Sequence, residues 1–376
     1  MAGKCISAIG LGALIAVGIT HGVECIPADN RPVLLSLYGI ANALGVFIGA
    51  CILVGSSMLE PVTNDWQWKV LVLIQIPAGV VLAGLVWRFP ESPRWLLIQH
   101  HVDEAHRSFA FYFNGVPDSS RIETLVQIVQ GHLRHEEVSR HSTSWTDIYR
   151  GRNLRRTLLS GFILTMLALC GVQFVLTYGT VFLMQAGISN VYVTNVAISA
   201  CTLAGSLLSP VSLEYAGCRG SVLWSSAATA FCMLTFAAVS SGSGADSEVA
   251  RNVLVTFICL WAFCFGAGLG GAAWLTSSEM HSLRPRTYGQ ASSAAVYQIW
   301  SFAATFWTPY MLRLEYGNMG TNVGYFYFGL TLVMFVLAFL FVPETAKLSL
   351  EQIDDYFNSG RPAWRTSLRR NRDAGA

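Results

Sequence analysis

Charge is what this sequence has least of. Of its 376 residues only 12% are Asp, Glu, Lys or Arg, while 53% are hydrophobic. A soluble chain is about one quarter charged. So small a supply cannot cover a water-facing surface, which excludes a soluble globule, and the apolar content excludes disorder and a collagen-like rod. The net charge of +2 is too small for a surface that neutralises a row of phosphates, so nucleic acid is excluded as a partner. No two of the nine cysteines have CxxC spacing, and all lie in or beside apolar runs, as small packing residues do. No paired carboxylates and no nucleophile–base constellation stand out, so neither an enzyme nor a cofactor is expected. His132-x-x-His135 has metal-like spacing but no second ligand pair; it reads as a solvated helix face, and no metal is expected.

What is present is a series of long stretches without any charge: Cys5–Val23, Pro32–Leu59, Val70–Trp87, Thr157–Leu213, Gly220–Ala245, Asn252–Ser278, Thr287–Leu312 and Tyr316–Pro343. A helix needs about 20 apolar residues to cross a bilayer, and it satisfies its own backbone there. Thr157–Leu213 is long enough for two spans, with Gly187–Asn190 as the turn. Nine spans are therefore predicted: Cys5–Val23, Val33–Ser56, Val70–Trp87, Leu158–Leu183, Val191–Leu213, Gly220–Ser240, Val253–Leu275, Ala291–Leu312 and Gly324–Val342. Met1–Thr20 has the outline of a signal peptide but no convincing cleavage site, and reads as a span or signal-anchor.

The loops alternate between two sides, and the basic residues do not. One side holds Lys4, Lys69, Arg251 and Arg313; the other holds the remaining 20 of the 24. The arginine-rich side, with the connector from Arg88 to Arg156 and the C-terminus, is expected in the cytoplasm. Amphipathic stretches in that connector, such as Ser119–Val138, predict short surface helices.

The chain also repeats itself. Glu24-x-x-Pro27-x-x-x-Arg31 follows the first span and Glu279-x-x-Ser282-x-x-x-Arg286 follows the seventh, at an offset of 255. Pro90-Glu91-Ser92-Pro93-Arg94 follows the third span and Pro343-Glu344-Thr345-Ala346-Lys347 the ninth, at an offset of 253. Spans one to three are thus counterparts of spans seven to nine, and spans four to six have none. The expected plan is a twelve-span protein lacking its first three spans. Its parts are 1–87, a three-span remnant of an N-terminal half; 88–156, the connector; 157–343, a six-span half; and 344–376, the tail.

Two parallel-repeat halves joined by a basic loop resemble a major facilitator transporter. Pro90-Glu91-Ser92-Pro93-Arg94-Trp95-Leu96-Leu97 resembles the sugar-porter signature after the sixth span of that superfamily. Pro343-Glu344-Thr345 with Leu350-Glu351-Gln352-Ile353-Asp354 resembles the one after the twelfth, and the two Glu…Arg motifs resemble its inner-loop motif. Gly3-Lys4 and Gly10-x-Gly12 are similar to the start of the family's fourth span. Gln185-Ala186-Gly187, Ser282, and Pro309-Tyr310-Met311-Leu312 before Gly324-Tyr325-Phe326 are closer to fungal α-glucoside (maltose) permeases. The resemblance implies an all-α bundle and alternating-access transport of a sugar or related small polyhydroxylated solute. A proton is the candidate co-substrate, the bilayer is the surroundings, and the plasma membrane is the site.

The resemblance also implies roles. Glu24, Arg31, Glu91, Arg94, Glu214, Arg219, Glu279, Arg286 and Glu344 would form an inner-face charge network that gates access. The family's Gln-Gln pair on the seventh span reads Leu167-Ala168 here, a departure. Gln173 and Tyr178 remain on that span, Trp274 matches the tenth-span aromatic, and Tyr297-Gln298 replaces an eleventh-span Asn-Trp; these five are the candidate substrate contacts. Hydrogen bonding between helices is their competing role. Asn195 and Gln75 are weaker candidates. Gly266-x-Gly268-x-Gly270-Gly271 lies inside an apolar span and follows no strand, so close helix packing or bending is predicted rather than a dinucleotide loop. No span carries a charged residue at mid-depth, so the chain shows no coupling group of its own. Two alternatives stand beside the sugar transporter: a transporter of a less polar metabolite, and a truncated, transport-inactive membrane protein.

Overall fold

The structure is a computed structural model. It describes all residues except 1, 26–30, 59–65, 114–118, 141–144, 180–182, 185–189, 244–247, 282–285, 313–314, 318, 347, 349–351, 354–355, 358–361, 370 and 372–376. Pro27, Gln185-Ala186-Gly187, Ser282, Lys347, Leu350-Glu351 and Asp354 thus lie outside the described residues, as do the side chains of Glu24, Arg31, Arg286, His132 and His135.

Among the described residues the regular structure is helical. The main helices are α1 (Ala2–Cys25), α2 (Arg31–Ser57), α3 (Trp66–Leu73), α4 (Gln75–Val86), α5 (Pro93–Ile98), α6 (Val102–Tyr112), α7 (Ser120–Arg140), α8 (Gly151–Leu169), α9 (Val191–Ser243), α10 (Glu248–Ala267), α11 (Leu269–Glu279), α12 (Arg286–Leu312) and α13 (Val323–Phe341). The chain divides into two compact units, Met1–Tyr38 with Lys69–Thr143, and Gly39–Trp68 with Ser144–Ala376.

Among the described residues each of the nine predicted spans lies largely on helix, and the breaks are informative. The fifth and sixth expected spans are the two segments of α9, which is kinked at the non-helical Gly217. The seventh is split into α10 and α11 at Gly268, and the fourth passes from α8 into a π-helical turn, Gln173–Tyr178. Among the described residues, six stretches are long and apolar enough to cross a membrane by length and composition, the Val191–Val239 stretch counting as one.

The first unit shows how its signature motif folds. Ser92 caps α5 by accepting the Trp95 N–H at 3.4 Å, and Pro93 occupies a first-turn position where no N–H is needed. Leu96 and Leu97 then join Ala105, Phe109, Ile122 and Val126 in a small core under α6 and α7. Tyr112 closes the motif by donating to the Pro90 carbonyl at 3.0 Å, and its hydroxyl also meets His21 Nε2 at 3.0 Å. The connector helices predicted from the Arg88–Arg156 pattern are α5, α6 and α7.

The second unit has the larger core, built round Trp261, Tyr327, Phe174 and Phe236. Its tightest seam is between α9 and α10. A Cβ on Gly266 would stand 2.5 Å from the Thr202 carbonyl, and one on Gly205 would strike the Phe263 carbonyl. Gly268 abuts the Ser225 side chain and Gly271 abuts Ser209 Oγ. The glycine run is therefore a packing surface, as predicted, where two backbones approach without side chains between them.

Candidate functional site

Two groups of residues in the second unit bear on function. The first lies along α8, the π-helical turn and α12. Gly171, with φ +97, ends the regular course of α8, and the wider π-helical turn follows. A positive φ favours glycine, and any Cβ there would press on Met233 Cε at 2.8 Å. The turn aims Gln173 at α12, where its Nε2 donates to Ser301 Oγ at 2.6 Å; Thr177 Oγ1 donates to Gln173 Oε1 at 3.2 Å. Tyr178 donates to the Thr305 carbonyl at 3.0 Å. Tyr297, Ser301, Thr305 and Thr308 follow one another at helical spacing, giving α12 a polar stripe. Trp274 on α11 stands edge-on to Tyr297, with ring centroids 5.2 Å apart. Gln298 is exposed on the neighbouring face of α12. Four of the five candidate substrate contacts are thus joined in two linked pairs of elements, and the fifth lies beside them. The Gln173–Ser301 and Tyr178–Thr305 bonds also tie helix to helix, so both roles weighed from the sequence are physically available.

Leu167 and Ala168, the departed pair, are 4% and 0% exposed and lie in the core. They take no part in a polar surface. Tyr327 was not singled out from the sequence, yet it carries much of this region. It is fully buried, stacks on Phe174 at 5.8 Å, and its hydroxyl meets Thr308 at 2.8 Å and Trp307 Nε1 at 3.3 Å. Its only sequence signal is a tyrosine inside an apolar span, which must find a partner when buried.

The second group sits at the arginine-rich ends of the helices. Glu344 is 3% exposed. Its carboxylate accepts backbone N–H groups from Cys218 at 2.9 Å, Ala346 at 3.1 Å, and Arg219 and Gly220 both at 3.4 Å. Cys218–Gly220 begin the second segment of α9, so the carboxylate satisfies first-turn donors and meets the positive end of the helix dipole. Gly217, with φ 78 and ψ 178, makes the turn and leaves room for the carboxylate. Burial pushes the Glu344 carboxyl above the ordinary range, while the four N–H groups pull it down.

Arg219 donates through a guanidinium N–H to the Phe339 carbonyl at 2.9 Å and lies over the Phe339 ring at 5.2 Å. Glu279 Oε2 accepts from Thr345 Oγ1 at 2.7 Å and faces Cys218 Sγ at 3.7 Å. Glu214 is exposed. In the first unit Glu91 is exposed, although its backbone carbonyl accepts from Ser108 Oγ at 2.7 Å; Arg94 is half-buried. The repeat partners Glu91 and Glu344 therefore have different surroundings.

The tail supplies residues that no motif marked. The Glu344 N–H donates to Thr366 Oγ1 at 2.8 Å, and Thr366 donates in turn to the Ala363 carbonyl at 2.6 Å. Asn371 Nδ2 donates to the carbonyls of Glu344 at 3.2 Å and Ala346 at 3.0 Å. Asn371→Ala leaves both carbonyls short of a donor. It is expected to cost about 1–2 kcal/mol, checked by thermal unfolding in detergent; no change would mean the docked tail adds no stability.

The description "Sugar (and other) transporter" matches residues 1–357. The low-affinity glucose transporter HXT1 of Saccharomyces cerevisiae is 26% identical over 375 residues, covering 97% of this chain and 64% of that protein. The galactose transporter of the same yeast is 26% identical over 373 residues, again covering 97% and 64%. The chain thus spans just under two thirds of the length of these curated relatives. Among solved structures, the inward open conformation of the xylose transporter XylE from E. coli superposes with TM-score 0.74 at 16% identity, over 93% of this chain and 70% of that one. The proton:xylose symporter XylE bound to 6-bromo-6-deoxy-D-glucose gives 0.70 at 18%, over 90% and 70%. These likenesses establish the major facilitator fold. With its family match running through both repeats, this multi-pass membrane chain belongs to the sugar (and other) transporter family.

Proposed function

We propose that the chain carries a sugar or related small polyhydroxylated solute across the membrane by alternating access. Gln173, Tyr178, Trp274, Tyr297 and Gln298 contact the solute. The observation that carries this reading is the linked polar and aromatic set on α8, α11 and α12. An amide held by Ser301 offers planar donors and acceptors to hydroxyls, and the Trp274–Tyr297 pair offers a ring face to the apolar side of a sugar. The glucose and galactose transporters among its relatives support the solute class. The narrower sequence likeness to α-glucoside permeases favours a disaccharide, which the same assay separates. In this reading the connector and tail face the cytoplasm of the plasma membrane, and Glu24, Arg31, Glu91, Arg94, Glu214, Arg219, Glu279, Arg286 and Glu344 gate the inner side.

The test is flux into liposomes by the purified chain, with glucose, galactose, xylose and maltose compared at several external pH values. Saturable uptake of at least one is expected, and dependence on a proton gradient would identify symport. Gln173→Ala removes one hydrogen-bonding side chain from the solute, so KM is expected to rise about ten-fold. Wild-type chain that neither moves nor binds any of the four sugars would sink the reading. Unchanged KM in both Gln173→Ala and Trp274→Ala would leave these residues as helix-packing groups only.

A further inference from the structure

The second unit has a groove that the solute path does not use. It is an open cavity of about 470 Å³ at the arginine-rich ends of α8 and α13. Leu154, Leu158 and Phe162 line it from α8, and Leu337 and Phe341 from α13; Arg155 is its one charged residue. Leu158 is 62% exposed and Phe341 50% exposed. From Arg155 to Phe162 the helix rises about 10 Å, so the apolar floor runs from the polar end well into the membrane-spanning part of α8.

The two adjacent arginines both approach the Phe357 ring but differ in burial. Arg156 is 4% exposed and lies 4.6 Å from the Phe357 ring centroid. Arg155 is exposed and stands farther from the same ring, at 5.9 Å. Arg155 is both exposed and one of the residues lining the groove, and none of the lining residues is acidic. Arg150, the residue before α8, adds to the basic character of this end of the helix.

We propose that this groove binds an anionic phospholipid from the leaflet at the arginine-rich end, with the head-group phosphate on Arg155 and an acyl chain along Leu158, Phe162 and Leu337. Charge complementarity and continuity with the bilayer select this occupant. A guanidinium presents a planar fork to phosphate oxygens, and an apolar trough open to the bilayer takes a hydrocarbon chain directly from its surroundings. A soluble anion would gain the arginine alone and leave the trough unused.

The test uses purified chain equilibrated with equimolar dioleoyl phosphatidylserine and dioleoyl phosphatidylcholine, with retained lipids counted by native mass spectrometry. Wild type is expected to hold phosphatidylserine in about five-fold excess, the ratio that one arginine near a membrane surface confers. Arg155→Gln should bring the ratio close to one, and Arg155→Lys should keep part of the excess. Leu158→Trp leaves the arginine in place and fills the groove; it should lower retention of both lipids, which reads the site independently of any effect of Arg155→Gln on folding. Equal retention of the two lipids by wild type would overturn the proposal. So would an excess that survives Arg155→Gln, displacement by inorganic phosphate alone, or a second copy of the chain in place of lipid.

Discussion

Gly217→Ala is expected to destabilise the protein by about 2–4 kcal/mol, the sum of a strained backbone residue and a displaced buried acceptor. At φ 78 and ψ 178 the residue lies where L side chains are rarely found. Its added Cβ would stand 2.5 Å from Glu344 Oε2. The chain must then either rebuild the turn or move a carboxylate that four backbone N–H groups share. Glu344→Ala attacks the same joint from the other side and leaves those donors buried without that acceptor. Glu344→Gln keeps one oxygen in nearly the same place and should cost much less. Thermal unfolding of the three variants in detergent decides it. Equal losses for Gln and Ala would show that the charge of Glu344, and not its oxygen atoms, holds the turn.

The same joint has a pH signature. The carboxyl of Glu344 is raised in the folded protein, first by burial, with the N–H groups opposing but not reversing it. A raised folded value means the folded state binds the proton more tightly than the unfolded chain. The stabilisation this gives is complete below the unfolded carboxyl value, about 4.3, and is lost as pH rises through the folded one. The stability of wild type relative to Glu344→Gln should therefore improve as the pH is lowered. A difference that stays flat with pH would mean the carboxyl keeps its ordinary value.

How much of this was legible beforehand depended on whether a feature is local. Helical spans follow from the length of uncharged stretches, because hydrocarbon leaves the backbone few other choices. The cap at Ser92 and the first-turn Pro93 follow from a few adjacent residues. The glycine run could be read as packing because it sits inside an apolar stretch. The use of Glu344 was not legible. A charge beside other charges suggests ion pairs, whereas three of the four N–H groups on its carboxylate come from Cys218, Arg219 and Gly220, more than 120 residues away, and carry no sequence signature. The docking of Thr366 and Asn371 is hidden for the same reason. The π-helical turn at Gln173–Tyr178 has only Gly171 to announce it, and that glycine is one of 34. The candidate solute contacts were found by family likeness, while their mutual arrangement came only from the fold.

Gly266→Leu is expected to be the most damaging single change in the membrane-spanning part of the second unit. At this seam α9 presents Thr202, Gly205, Ser206 and Ser209, and α10 and α11 present Phe263, Gly266, Ala267 and Gly271. Gly266 already stands so that one carbon would reach 2.5 Å from the Thr202 carbonyl and 3.0 Å from the Ser206 nitrogen. Gly205 faces the other helix in the same way, with the Ala267 nitrogen at 2.9 Å from its ideal Cβ. Neither contact is with the movable end of a side chain; both are with backbone, so relief requires the helices to separate. Separation would also open the neighbouring contacts of Gly268 with Ser225 and Gly271 with Ser209. Overpacking commonly costs about 1–3 kcal/mol, and a whole leucine between two backbones belongs at the upper end or beyond. Gly329→Ala is the matched control, because a Cβ there meets nothing within 4 Å and alanine is the better helix former. Size-exclusion profiles and unfolding temperatures in detergent should show Gly266→Leu aggregated or strongly destabilised, Gly266→Ala intermediate, and Gly329→Ala unchanged or slightly improved. If Gly266→Leu behaves like Gly329→Ala, the seam between α9 and α10 is looser than these contacts require.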